Sequence, residues 1–409
     1  MNLNLKTLKE VDIKGKKVLL RVAYDITLQK KDGAWIVPDD LRIRATLPTI
    51  NYLLEQNCSL GILSWLKRPA GKVDPDLSLS PIAVRLSELL SRPVEMLPDC
   101  VGPEVEKRVS NLEPGEIIML ENVRFHPEEE KNDPEFAKQL TAGFDFIVYD
   151  AFGQAHRIHS STTGILEILP SAAGFLFEKE INFLSELLQD AKQPFVVVLG
   201  GAKISDKVET MRHLLGLADK MLIGGALANT FMLATGQPVG KSSVEDIYVN
   251  VAKGEKKNYV DLAKEILEDS KGKVLLPLDF FAAASPNDEK SSLVNIDQGE
   301  KIPSDKGFYD IGPRTINLFE DILKEAKTIF MNGPMGFFEK EIFATGTKKI
   351  SEAVYQSGAV SIVGGGDTES IVSRYGWEGR FTHVSTGGGA SLEFLAGHEF
   401  PVMKYLIKP

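Results

Sequence analysis

The sequence predicts an α/β protein of two doubly wound, Rossmann-like parallel-sheet domains joined by a helix and hinge. Three observations predict it. Short apolar runs alternate with stretches of helical periodicity along the whole chain, the pattern of parallel sheets with helices on both faces. In residues 191–409 five apolar runs stop at glycines and lead into helix-like patterns. Between the two halves lies one amphipathic stretch, Phe177–Leu188, ended by Gln193-Pro194.

The strand candidates of the first half are Lys17–Val22, Ser59–Leu63, Glu116–Leu120 and Phe144–Tyr149. Those of the second are Phe195–Leu199, Lys220–Ile223, Lys273–Pro277, Thr328–Met331, Val360–Val363 and His383–Ser385. Helical spacing of apolar residues marks Ile43–Gln56, Ile82–Ser91, Pro134–Leu140, Ile204–Leu217, Tyr259–Asp269 and Thr345–Gln356. The expected division is a first domain over 1–175, a connecting helix over 176–192 and a second domain over 193–394. In such folds ligands lie beyond the carboxyl ends of the strands.

Composition narrows the function. At 409 residues the chain has room for two full cores, and 43% hydrophobic with 25% charged residues is ordinary for a globular protein. A net charge of −10 argues against nucleic-acid or anionic-membrane binding. No apolar run reaches the ~18 residues of a membrane span, and the lysine-rich start lacks a signal-peptide core. The two cysteines, Cys58 and Cys100, fit a reduced cytoplasmic setting and make no metal cluster by themselves.

The glycine units carry the chemistry. They are Leu199-Gly-Gly-Ala-Lys203, Ile223-Gly-Gly-Ala226, Met331-Asn-Gly-Pro-Met-Gly336, Ser361-Ile-Val-Gly-Gly-Gly-Asp-Thr368 and His383-Val-Ser-Thr-Gly-Gly-Gly-Ala390. Glycines let backbone N–H groups approach an anion, and a following helix aims its positive end at it. A single unit is no more than a tight turn; five in one half point to a polyphosphate site. Lys203 and Lys207, four apart across an expected helix start, can face one ligand. Asp206 between them reads as a helix N-terminal carboxylate. Asp367 reads either as a magnesium ligand or as a helix cap. Gly236-Gln-Pro-Val-Gly-Lys-Ser242 imitates a P-loop but is one residue short and follows a helical run. Kinase HRD and DFG motifs and a GxGxxG are absent from the sequence.

The first half places Arg21, Arg42, Arg68, Arg124 and Arg157 at strand ends or in loops. Several planar guanidinium forks converging in an acidic protein suit a small polyanion. His156 and His159 read as anion contacts or structure in preference to a metal pair, and Glu128-Glu-Glu130 as an acidic turn.

Together these segments resemble phosphoglycerate kinase over essentially the whole chain. The resemblance rests on Lys17–Val22, Arg42–Ile50, Asp99–Glu106, Leu120–Phe125, Asp150–Arg157, Leu199–Lys207, Asn332–Gly336, Gly364–Thr368 and Ser385–Ala390. It implies a monomeric two-domain hinge enzyme of glycolysis that moves phosphate between 1,3-bisphosphoglycerate and ADP, with Mg2+. Its C-terminal segment, about 395–409, would pack back on the first domain. The resemblance implies that Arg21, Arg42, Arg68, Arg124 and Arg157 hold 3-phosphoglycerate, and that Arg42 and Lys203 neutralise the phosphoryl group in flight. Lys207 and Thr368 would contact nucleotide phosphates, Asp367 magnesium, Glu339 the ribose, and Gly201, Ala202, Gly224 and Gly225 the adenine. Asn332, Pro334, Gly364, Gly365, Gly366, Gly387 and Gly388 complete the nucleotide face so implied.

The departures cluster in the acid pocket. The family's Arg-Val-Asp-Phe-Asn-Val-Pro reads here Arg21-Val-Ala-Tyr-Asp-Ile-Thr27, its His-Leu-Gly-Arg reads Trp65-Leu-Lys-Arg68, and its Asn before Asp-Ala-Phe is Tyr149. Ala23, Asp25 and Trp65 therefore stand at substrate-binding positions. If the strand conformation continued past Val22, Asp25 would replace the carboxylate missing at Ala23 from roughly 7 Å away. Arg314 and Arg374 stand where family members often carry lysine. Two alternatives follow: a related phosphotransferase acting on another small phosphorylated carboxylic acid, and an inactive nucleotide-binding regulator.

Overall fold

The computed structural model describes residues 3–250 and 255–408. It divides into two compact units, Met1–Asn182 with Glu399–Pro409, and Phe183–His398. The amphipathic segment forms one helix, Phe175–Gln189, and the division falls inside it.

The first unit is built on a six-stranded sheet whose spatial order is Glu95–Met96, Ile117–Met119, Ser59–Leu63, Lys17–Val22, Phe146–Asp150 and Ser171–Ala173. Every pairing is parallel. Lys17–Val22 lies between Ser59–Leu63 and Phe146–Asp150, so the chain fans out to both sides of it. That is a topological switch point, and the loop after Val22 opens at the place where such sheets bind ligands. Leu20, Ile62 and Val148 are fully buried in the core beneath it, as expected for strands covered on both faces. The C-terminal segment belongs to this unit. Leu5 bridges Ile407, the Lys6 N–H donates to the Leu406 carbonyl at 2.7 Å, and Phe400 packs 5.6 Å from Phe152.

The second unit repeats the plan in the order Val274–Leu275, Lys220–Ile223, Phe195–Leu199, Thr328–Asn332, Val360–Gly364 and His383–Ser385. All five pairings are again parallel. Here the switch strand is Phe195–Leu199, and the loop leaving it carries Gly201, Ala202 and Lys203.

Three corrections to the expected elements matter for the site. A separate antiparallel sheet, Asp279–Ala283, Ser292–Asn295 and Gly307–Ile311, fills a stretch that periodicity left unassigned. The helix Pro313–Glu325 was also unassigned, although Pro313 at its start and the Ile316, Phe319, Leu323 spacing mark it. The helix expected over Ile204–Leu217 covers only Val208–Leu215. Ile204 is buried at the right spacing, but residues 205–207 form a turn, so Lys203 and Lys207 do not share a helix face.

Candidate active site

In the second unit the loops leaving the parallel strands enclose two adjoining cavities. A polar one of about 640 Å³ is lined by Asp206, Lys207, Asn332, Asp367, Thr368 and Gly388, among others. An apolar slot of about 340 Å³ is lined by Gly201, Ala202, Gly225, Pro334, Phe337 and Glu339, among others. Asp367 borders both.

Local backbone chemistry builds the polar cavity. The helix Gly366–Tyr375 starts at Gly365, whose φ of 102° belongs to the region that favours glycine. Asn332 reinforces the turn, its Nδ2 donating to the Gly364 carbonyl at 2.8 Å. Thr368 is buried, and its Oγ1 accepts from the Gly333 N–H at 2.9 Å, so its hydroxyl ties two loops together. The helix Gly389–Leu395 also begins at this cavity, after Gly388. Lys207 is the buried cation here, 8% exposed, and burial lowers its pKa against the opposing pull of Asp206 and Asp367. Gly201 lies beside it in the left-handed region that favours glycine, with φ 90°. Helix starts and a lysine converging on one concavity make an anion cradle. Lys203 is exposed on the loop above.

The slot depends on close backbone approach. A Cβ on Gly225 would fall 2.6 Å from both the Gly201 nitrogen and the Pro334 carbonyl oxygen. Gly224 caps the same helix from behind, against Met335. One wall comes from the antiparallel sheet, where Phe280 and Phe308 stack at 4.2 Å. The flat, apolar walls suit a base, and exposed Glu339 stands at the rim. Phe280, Phe308, Tyr309 and Asp310 were missed from sequence because their whole sheet was. Asp310 accepts from the N–H groups of Gly346 at 2.8 Å and Ile311 at 2.9 Å, and burial pushes its carboxyl up to about 8.

In the first unit the arginines separate into two sets. Arg68 and Arg157 are exposed, and Arg42 is half-buried on the helix Leu41–Glu55 with its Nη1 donating to the Asp25 carbonyl at 3.3 Å. Arg21 has no exposed surface. Its Nε donates to the Ser161 carbonyl at 2.8 Å, one Nη group donates to the Val22 carbonyl, and burial lowers its pKa to about 10. Arg124 is 8% exposed and donates to the Lys67 carbonyl at 2.7 Å. Arg21, expected as a substrate contact, is thus fully buried, with its Nη2 lacking a hydrogen-bond partner among the described residues.

Trp65 explains the buried pair. The guanidinium carbons of Arg21 and Arg124 lie 4.5 and 4.1 Å from its ring centroid, and the His159 ring lies 5.2 Å away. The indole is 3% exposed, so at this position it packs on cations and offers little surface to a ligand. Buried Glu129 balances part of the charge, with Ser161 donating from N–H at 2.8 Å and from Oγ at 2.6 Å. Burial, with Arg124 and Arg21 nearby, drops His159 to about 4, so it stays neutral near pH 7. Tyr149 is buried beside Arg21, its hydroxyl without a hydrogen-bond partner among the described residues.

The Asp25 expectation is corrected. Strand structure ends at Val22, and Asp25 Oδ1 accepts the Lys67 N–H at 3.0 Å. Its Oδ1 is engaged by the 65–68 turn, its side chain stays one-third exposed, and Ala23 is buried. A grouping not foreseen joins Asp99, Cys100 and His126, whose ligand-type atoms lie within 4.8 Å of one another. Asp99 Oδ1 is already taken up by His126 Nε2 and by the Cys100 N–H, both at 2.6 Å. Among the described residues no helix is long and apolar enough to cross a membrane.

An anion cradle adjoining a base-sized slot, on the loops of a doubly wound sheet, defines a nucleotide-dependent phosphotransferase class. Known proteins narrow that class. A family model described as phosphoglycerate kinase matches residues 8–398. A phosphoglycerate kinase from Dictyoglomus turgidum is 47% identical over 399 residues, covering 96% of each chain, and one from Solibacter usitatus is 46% identical over 97% of each. Among solved structures, phosphoglycerate kinase from Pyrococcus horikoshii superposes with a TM-score of 0.85 at 35% identity, and that from Coxiella burnetii with 0.80 at 34%, each over 98% of both chains. This chain belongs to the phosphoglycerate kinase family.

Proposed function

We infer that this protein catalyses reversible phosphoryl transfer between 1,3-bisphosphoglycerate and ADP, giving 3-phosphoglycerate and ATP, as a glycolytic enzyme of the cytoplasm acting as a monomer. The observation that carries this reading is the cradle itself. Buried Lys207, exposed Asp367 and the Gly366 helix start bound one polar cavity next to an apolar slot.

Phosphoryl transfer asks little covalent chemistry of the protein and depends on positioning and charge stabilisation. Adenine would enter the slot between Gly201, Ala202, Gly225 and Pro334, with Glu339 at the ribose and the phosphates running to Lys207 and the helix starts. An exposed carboxylate beside a phosphate-sized cavity fits magnesium, which takes one or two carboxylates plus phosphate oxygens. Asp367 is that carboxylate, and the ion would neutralise phosphate charge. Arg42, Arg68 and Arg157 would receive the acid, with Arg21 and Arg124 supporting them from below. Arg42 and Lys203 would offset charge on the phosphoryl group in transit. The acid and the nucleotide load on different units, so transfer requires a closure that brings them in line and excludes water.

A coupled assay with 3-phosphoglycerate, ATP and magnesium tests this. Turnover is expected, and Lys203→Ala should reduce kcat by roughly 100-fold or more while sparing nucleotide affinity. No turnover, with magnesium–ADP still bound, would overturn it. Trp65 packed on Arg21 and Arg124, with Ala23 buried, at positions where the family carries His and Asp, favours as second reading a different small phosphorylated acid. A panel of such acids in the same assay decides between the two. Binding of nucleotide without turnover of any acid would leave the regulator reading.

A further inference from the structure

The turn after Ser59–Leu63 carries a feature that the packing of the acid face does not require. Lys67 sits at φ 55°, in the left-handed region that side chains other than glycine's pay roughly 1–2 kcal/mol to occupy. Two contacts hold the turn. Asp25 Oδ1 accepts the Lys67 N–H at 3.0 Å, and the Lys67 carbonyl accepts from Arg124 at 2.7 Å. Neither uses the ammonium. A glycine would donate the first bond and accept the second without the strain, so the backbone gives no reason for a lysine here.

The ammonium group is held lightly. Nζ donates to Thr27 Oγ1 at 3.2 Å and stands 3.9 Å from Asp25 Oδ1, with the Lys67 side chain 45% and Asp25 33% exposed. A charge-assisted hydrogen bond would close to about 2.7–2.9 Å. The long approach leaves the charge largely unspent and close to water. Its surroundings are cationic: Arg124 binds its own carbonyl, Arg68 follows it in sequence, and Arg42 donates to the Asp25 carbonyl on the facing loop. Glu130, 3.4 Å from Arg124 Nε, offsets Arg124; Asp25 is the carboxylate beside Lys67 itself, and Thr27 supplies a neutral acceptor. An oxyanion arriving at Arg42 and Arg68 would meet a lysine free to swing from a weak tether.

We propose that Lys67 is an additional substrate-binding and specificity residue of the acid site: its ammonium binds an oxyanion of the phosphorylated carboxylic acid, and Asp25 with Thr27 hold it ready when the acid is absent. The proposal rests on the phosphotransferase reading above and adds to it the residue that sets acid affinity in this chain. The turn is thus a preformed arm whose strain is carried by Asp25 and Arg124.

Calorimetric titration of the full-length protein with 3-phosphoglycerate, and separately with magnesium–ADP, tests it. Lys67→Met keeps the strained backbone but removes the charge; Lys67→Gly removes both. Both variants should bind 3-phosphoglycerate roughly ten-fold more weakly, with magnesium–ADP affinity unchanged. Lys67→Arg should stay within about three-fold of the parent. The salt dependence of acid binding should become shallower in Met and Gly alike, which a merely structural role would not produce. Affinity within two-fold of the parent in both variants overturns the proposal while leaving the phosphotransferase reading intact. A parent protein that neither binds nor turns over 3-phosphoglycerate overturns both.

Discussion

At the scale of single residues, the acid face departs from its family by a linked set of changes. Asp25 and Thr27 both contact Lys67, which ties the position read as a displaced substrate ligand to the turn carrying Lys67. This gives Asp25→Asn a definite sign. The amide oxygen still accepts the Lys67 N–H, while the negative charge beside the ammonium is gone. An exposed pair of this kind is worth roughly 0.2–1 kcal/mol. Releasing it should lower the KM for 3-phosphoglycerate about two-fold and leave the KM for ATP unchanged. A rise in the acid KM would return Asp25 to the role of substrate ligand. Asp25→Ala also removes the acceptor and should destabilise the first unit by about 1 kcal/mol in urea unfolding.

At the scale of elements, legibility followed burial and length. Central strands such as Phe195–Leu199 were readable because both faces are covered, which makes them continuous apolar runs. Thr345–Gln356 and Tyr259–Asp269 were readable to the residue from their spacing. Edge strands Glu95–Met96 and Ser171–Ala173 were not, since two or three residues carry no period, whereas the equally short edge strand His383–Ser385 was marked by the glycines that follow it. The antiparallel sheet escaped for another reason: in Asp279–Ala283 and Gly307–Ile311 a buried aspartate adjoins apolar residues on both sheet faces, so neither alternation nor a continuous apolar run marks them. With it went one wall of the apolar slot, Phe280, Phe308, Tyr309 and Asp310. The glycine loops and lysines of the nucleotide face could be found, but not the burial that separates Arg21 from exposed Arg68. Asp310 shows what sequence cannot supply. It is the penultimate residue of the Gly307–Ile311 strand and ties that strand to the start of the Thr345–Gln356 helix through Gly346. Its carboxyl is raised to about 8 by burial, against about 4 for an unfolded aspartate. Between those values the folded chain holds a proton that the unfolded chain has lost. Stability from this group is thus complete below pH 4 and fades as pH rises to about 8. Asp310→Asn lacks that dependence but leaves one N–H poorly paired. Its deficit against the parent should therefore shrink by roughly 1–3 kcal/mol between pH 5 and pH 8 in urea unfolding. A constant deficit would mean that Asp310 titrates as an ordinary carboxylate.

At the scale of the whole molecule, the chain closes its first unit with its own last residues. Phe400, Val402, Met403 and Leu406 are all buried in that unit, and Lys408 pairs with Glu10 at 2.5 Å. Burying four such side chains contributes roughly 6–12 kcal/mol at the usual 1.5–3 kcal/mol each, an upper bound since the unfolded chain already hides part of that surface. That is as large as the net stability of a typical domain, about 5–15 kcal/mol. Removing residues 399–409 should therefore unfold the first unit and leave the second, whose sheet and cavities lie within Phe183–His398, in place. Magnesium–ADP should still bind the truncated chain in calorimetry, with 3-phosphoglycerate binding and turnover both lost. Retention of 3-phosphoglycerate binding would show that the returning segment is dispensable to the first unit. Loss of magnesium–ADP binding would show that the two units fold as one. The outcome matters for function because ligand stabilises only the unit that binds it. If the units unfold separately, 3-phosphoglycerate should raise the first transition of the intact protein and magnesium–ADP the second, each by an amount set by its concentration relative to its Kd.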